Sequence, residues 1–125
     1  MTEQAGAFLD SKSLPLQAGV KILLRSSEGK HLLLRRNPKA YPDVRPSWDI
    51  PGGRINLGLP LLENLRREVR EEAGLDIVGQ PALVAAQDII RPDKHVVRLT
   101  YRGTASGWPV LMANTWNLPG LPPGM

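Results

Sequence analysis

The chain has 125 residues (13.7 kDa), 42% of them hydrophobic and 22% charged, which is room for one domain and excludes a disordered tail or a coiled coil. No apolar run approaches the roughly 18 residues a membrane span needs, and the opening MTEQAGAFLD lacks the basic-then-apolar pattern of a secretory signal. Cysteine is absent, which removes disulfides, thiol nucleophiles and thiolate metal sites and fits a cytoplasmic location.

Sixteen basic residues against 12 acidic give a net charge of +4, a balance that suits nucleic acid, a small anionic ligand or an ordinary soluble surface. The distribution is lopsided: every Glu lies at or before Glu72, and residues 104–125 carry no charged side chain.

Residues 1–15 are small, polar and aperiodic, and read as a loose lead-in. The runs LQAGVKILLR (16–25) and KHLLLRR (30–36) read as strands joined by the turn Ser26-Ser27-Glu28-Gly29, a hairpin signal. Their apolar runs are too continuous for a sheet with one wet face, so cover on both faces is expected. Residues 37–47 hold three Pro and read as a loop; residues 48–50 form a short strand leading into Pro51-Gly52-Gly53.

After a loop over 54–58, residues 60–73 have a helical period. Leu62, Leu65, Val69 and Ala73 share one stripe, Pro60 suits a first turn, and Gly74 stands where a C-terminal cap belongs. Residues 82–90 and 94–102 read as strands separated by Arg91-Pro92-Asp93, with Val96, Arg98, Thr100 and Arg102 on one face of the second. Gly103 marks a strand end, and residues 108–112 add a short strand. The Pro/Gly-rich end of the 113–125 tail cannot form a helix. The domain proper is therefore expected over 16–112, as an α/β or α+β unit.

The helix carries the chemistry. At 100° per residue, Glu72 lies about 40° to one side of Glu68 and Glu71 about 60° to the other, so three carboxylates share a face beside the apolar stripe. Such a group suits Mg²⁺ or Mn²⁺, hard cations that take oxygen ligands and commonly complete their shell with substrate phosphates. An exposed, salt-bridged helix held by the i,i+4 pairs Glu63–Arg67 and Arg67–Glu71 would look similar, but it would not need the glycines that bracket this one.

The stretch 53–75 resembles the Nudix box, G-x5-E-x7-R-E-U-x-E-E-x-G-U with U aliphatic. Gly53, Arg67-Glu68-Val69, Glu71-Glu72 and Gly74-Leu75 all match at the right spacing. The approach Trp48-Asp49-Ile50-Pro51-Gly52 is similar to the family's own, and the likeness covers roughly residues 16–103. It implies an α/β/α sandwich around a mixed β-sheet and hydrolysis of a nucleoside diphosphate derivative. It further implies metal ligation by Glu68, Glu71, Glu72 and the carbonyl of Gly53, proton acceptance by Glu72 or Glu71, and a positioning role for Arg67.

Three departures qualify the resemblance. Leu59 stands where the box has its first Glu, which leaves Arg67 to pair with Glu63 or Glu71. No Glu follows Glu72; Asp93 and His95 are the later groups that could reach a site, though each reads better as a surface residue. The tail cannot supply the family's second helix, so Trp108 and Trp116, or a second copy in a homodimer, would cover the sheet.

Arg54, Arg35 and Arg45 are expected to hold substrate phosphates, while Tyr41 and Trp48 could stack on a base. A nucleotide-type small molecule is the expected partner, with no membrane. Nucleic acid is not expected, for want of an aromatic-rich strand or a basic helix. Two readings compete: a Mg²⁺-dependent pyrophosphohydrolase, and a catalytically weakened Nudix-fold module that binds a nucleotide or a partner.

Overall fold

In the computed structural model, residues 14–36, 48–109 and 115–116 are described, the side chains of Arg36, Thr115 and Trp116 excepted. The chain runs β1 (Leu16–Arg25), β2 (Leu34–Arg36), β3 (Trp48–Asp49), β4 (Gly52–Arg54), α1 (Leu61–Ala73), β5 (Ile77–Arg91), β6 (Lys94–Ala105) and β7 (Thr115–Trp116). A four-stranded mixed sheet has the order β4-β1-β6-β5, and a smaller antiparallel sheet the order β3-β2-β7. One helix on a mixed sheet is the expected α/β arrangement.

α1 forms where the apolar period places it. Leu65, Val69 and Ala73 recur every four residues and are fully buried, against Val20 and Ile22 of β1 and the nearby Leu24. Each such Leu or Val stabilises the fold by about 1.5–3 kcal/mol over its exposed state. Gly74 ends the helix with φ 68°, its N–H donating to Arg70 O at 2.9 Å. Only a residue without Cβ adopts that left-handed conformation freely.

The expected hairpin does not form. The turn at 26–29 closes one bridge, Arg25 to His31, with Leu32 N donating to Leu24 O at 3.0 Å; the chain then leaves for the second sheet. β1 already has both edges occupied, by β4 antiparallel and by β6 in parallel register from Leu16–His95 to Arg25–Thr104. The β6 ladder takes the opposite edge, and the edge that a longer hairpin would need is held by β4 from Gly19 to Lys21.

β6 runs past Gly103 instead of stopping there. A Cβ on Gly103 would sit 3.1 Å from Ile22 Cδ1 and 3.4 Å from Pro81 Cβ, so the glycine admits close packing rather than ending a strand. β5 is also longer than expected, with bulges between Val78 and Ala82 and between Leu83 and Ala85. Gly79 (φ 69°) makes the first of these, and Arg66 braces it by donating to Ile77 O (3.0 Å) and Gly79 O (2.6 Å).

Residues 108–109 are not strand; the remainder of the strand expected over 108–112, and the loop at 37–47, lie outside the described residues. Within the tail, residues 115–116 pair with β2. No helix among the described residues is long and apolar enough to cross a membrane. Among the described residues, α1 covers the Val20–Ile22–Leu24 side of the main sheet, while Leu23, on the other side, is 40% exposed.

Candidate active site

The site begins at β4. Backbone bonds from Ile22 N to Pro51 O and from Ile55 N to Ala18 O bracket the Val20–Gly53 pair. Antiparallel alternation then turns the polar groups of Gly53 toward β1 and those of Gly52 away from it, toward α1. Gly52 N accordingly donates to Glu72 Oε1 at 2.8 Å, a tie that binds helix to strand. Glu68 lies directly on Gly53: an added Cβ there would fall on its Oε2, and the side chain is only 13% exposed. The glycine pair thus forms a low saddle on which two carboxylates rest.

Across the saddle opens a cleft of about 410 Å³, lined by Glu68 and Glu72 at one end and by Lys21, Arg54, Arg91, Lys94 and Arg98 beyond. Glu71 is not on its wall. That side chain is 59% exposed and holds Arg67 Nη1 at 3.1 Å through Oε1. The three helix carboxylates therefore share a face, as expected, but two enter the cleft and one stands at its rim. Among the described residues, no three carboxylate or histidine groups converge closely enough to hold a metal ion as they stand.

The loop before the helix is anchored by a residue that sequence reasoning missed. Asn64 is fully buried; its Oδ1 accepts from Asn56 N at 2.7 Å and from Arg67 Nη2 at 3.1 Å. Its Nδ2 donates to Leu59 O at 2.7 Å and to Pro60 O at 3.0 Å. Arg67 Nη2 also reaches Arg54 O at 3.3 Å. Of the two expected partners of Arg67, Glu71 is engaged, and Asn64 takes the place expected of Glu63. The clue was in the sequence: Asn64 stands one turn before Glu68 on the same helix face.

The expected phosphate-binding arginines separate. Arg54 lines the cleft. Arg35 does not: it belongs to the small sheet, where its guanidinium lies 5.7 Å from the Trp48 ring centroid. Arg45 and Tyr41 lie outside the described residues. Trp48 is 43% exposed, so it is no core residue. Asp93 is exposed in the β5–β6 turn, and His95 Nε2 pairs with Asp88 Oδ1 at 2.8 Å; neither lines the cleft.

The basic residues that do line it, besides Arg54, come from β1 and the β5–β6 hairpin and were not singled out by sequence. Two are already bonded: Lys21 Nζ to Asp49 Oδ2 at 2.8 Å, and Arg98 Nε to Gln87 Oε1 at 3.2 Å.

Helix, glycine saddle and mixed sheet together define a Nudix-type fold, and solved structures bear this out. A MutT protein from Methanosarcina mazei Go1 superposes with TM-score 0.71 at 27% identity, over 86% of this chain and 78% of that one. A MutT Nudix hydrolase from Burkholderia pseudomallei gives 0.68 at 24% identity, over 86% and 87%. The model of the NUDIX domain matches residues 15–113, and the chain belongs to that family.

The RNA pyrophosphohydrolase of Bartonella clarridgeiae is 34% identical over 110 residues, 81% of this chain; the chain spans about 62% of that relative's length. Family members act on nucleotide-type substrates and generally use divalent metals.

Proposed function

We propose that the chain hydrolyses a pyrophosphate bond in a nucleoside diphosphate derivative by attack of water on phosphorus, with Mg²⁺ or Mn²⁺ as cofactor. One observation carries the reading: two carboxylates seated on a side-chain-free saddle, at the acidic end of a cleft whose other charged groups are all cations. The donor set fits a hard divalent cation. Glu68 and Glu72 bring carboxylate oxygens, Glu71 follows on the same helix face, paired with Arg67, and the Gly53 carbonyl keeps a lone pair beyond its ladder bond. When bound, such an ion neutralises charge on the pyrophosphate and acidifies a bound water.

The chain's own residues do the rest. Arg54 and Lys21 face the phosphates from the cleft wall. Glu72, fixed by Gly52 N, accepts the water's proton, with Glu71 as the other carboxylate within reach of that role. Arg67 does not touch substrate; it positions Glu71 and, with Asn64, the loop. The Bartonella relative's name favours a polyphosphate at the 5′ end of RNA as one substrate. The cysteine-free composition favours a cytoplasmic enzyme.

The test is a substrate panel with purified protein and Mg²⁺ or Mn²⁺, covering 5′-triphosphorylated RNA, nucleoside triphosphates, ADP-ribose, sugar nucleotides and dinucleoside polyphosphates. At least one is expected to turn over, and Glu72→Gln to lower kcat by about 10²–10⁴-fold, the usual worth of a positioned proton acceptor. Absence of turnover on the whole panel rejects the activity; undiminished turnover in Glu72→Gln rejects the role given to that residue.

A further inference from the structure

The cleft is longer than the chemistry at its acidic end requires. Gly53 pairs with Val20, and Val20 with Leu99 of β6; Lys94 lies five positions back along β6, opposite Arg91. At about 3.3 Å per residue and 4.8 Å per strand, the hairpin end lies about 17 Å along and about 10 Å across from the glycine saddle. A di- or triphosphate group at Glu68 and Glu72 cannot also touch it. Yet the cleft continues there without a break, past Arg98 to Lys94 and Arg91.

The far end has a second peculiarity. Arg91 and Lys94 are direct cross-strand partners, and like charges placed opposite one another are destabilising. Among the described residues, neither forms an ion pair. An anion between them would turn that repulsion into attraction.

We propose that Arg98, Lys94 and Arg91 form a track for the phosphodiester backbone of a nucleotide chain whose 5′ end lies at the carboxylates. The inference rests on the pyrophosphohydrolase reading for its polarity, though the track itself can be tested without turnover. Backbone interactions of this kind position a chain without reading its bases, so they need neither an aromatic strand nor a basic helix. The Arg91–Lys94 pair, at the hairpin tip, would meet the phosphates furthest from the reacting end.

The experiment uses 3′-fluorescein oligoribonucleotides with a 5′-monophosphate, which leaves no anhydride to hydrolyse, at lengths of one to six nucleotides and read by anisotropy. Affinity is expected to rise with length and then level. In Arg91→Ala/Lys94→Ala the preference for the long chain over the mononucleotide should fall about tenfold. The slope of log K against log salt should flatten by about 0.7 for each phosphate that the variant no longer neutralises.

A control that removes the same net charge elsewhere, Lys30→Ala/Arg70→Ala, keeps the preference. A deoxyribonucleotide chain of equal length binds within about threefold of the RNA, because phosphate and not sugar is read. Affinity independent of length, an equal loss for mononucleotide and chain in the double variant, or loss of binding by DNA each overturns the track. Length-dependent binding in a protein that turns over nothing would instead sink the hydrolase reading and keep the track.

Discussion

Replacing Asn64 by Ala removes four side-chain hydrogen bonds from a fully buried position. Asn56 N–H and Leu59 C=O lose the partner that holds them to the helix; Arg67 keeps Glu71 and the Arg54 carbonyl. At about 0.5–1.5 kcal/mol net for each bond, the expected cost is about 2–6 kcal/mol. For a domain of this size that is a fall in Tm of about 8–24 °C. Because the loop over 54–60 carries Arg54 and leads from the glycine saddle into the helix, kcat should fall as well. Asn64→Asp separates the two halves of the network: it keeps both bonds that the side chain accepts and removes both that it donates, and should lie between wild type and Ala. Calorimetry gives the stability and steady-state hydrolysis the activity. A Tm within 2 °C of wild type in Asn64→Ala, together with unaltered kcat (2 °C being about 0.5 kcal/mol), would refute the anchoring role.

Three further substitutions probe the saddle, the β5 bulge and the loop. Gly53→Ala places a methyl group where Glu68 Oε2 sits; the flexible carboxylate yields, so stability should drop by only about 1 kcal/mol while turnover falls about 100-fold, as measured by paired melts and kinetics. Arg66→Ala releases the carbonyls of Ile77 and Gly79 at the β5 bulge, far from the cleft wall. It should cost about 1–2 kcal/mol in chemical denaturation and leave kcat/KM within about twofold. Leu59→Glu, which restores the acidic residue of the box, should change kcat less than about threefold alone, yet recover part of the loss in an Asn64→Ala background, a coupling that a double-mutant cycle measures.

What could be read from sequence divides by range. α1 was legible to within a residue at its start and to the residue at its end, because its period, Pro60 and Gly74 are local signals. β1 was legible as a strand, but its partners were not. The Leu16–His95 register joins residues far apart in sequence, and the Ser-Ser-Glu-Gly turn suggested a nearer partner that the structure uses for a single bridge. The same gap hid half of the cleft. Val96, Arg98, Thr100 and Arg102 were visible as one face of a strand, but nothing local places Arg98 beside Gly19 and hence near the glycine saddle. The placement of Arg35 was hidden for the converse reason: it follows β1 closely in sequence and leaves for the other sheet. Asn64 was invisible because a polar residue at the edge of an amphipathic helix reads as solvated; only the loop folding back over it makes it buried.

An amide can replace a carboxylate as a hydrogen-bond partner but not as a charge, and this distinction decides what Leu59 costs. Asn64 and Glu71 between them supply Arg67 with oxygen acceptors, and the amide also ties Leu59's own carbonyl, so the loop keeps its geometry without the missing Glu. What is not restored is the charge of the missing Glu itself: Arg67 keeps the carboxylates of Glu71 at 3.1 Å and Glu68 at 3.8 Å, with one negative charge fewer nearby. The cleft itself, which neither Leu59 nor Arg67 lines, sets two carboxylates against five cations, a field that favours a polyanionic substrate and that one negative charge fewer nearby strengthens. The substitution should therefore be felt less in loop order than in quantities that depend on charge: tighter binding of extended phosphates, weaker hold on a divalent cation, and a steeper response of both to salt. A binding module that had lost its chemistry would have no need to rebuild the Arg67 network. That this chain rebuilds it with Asn64, and keeps Glu68 and Glu72 on the saddle, favours a working hydrolase with a shifted charge balance.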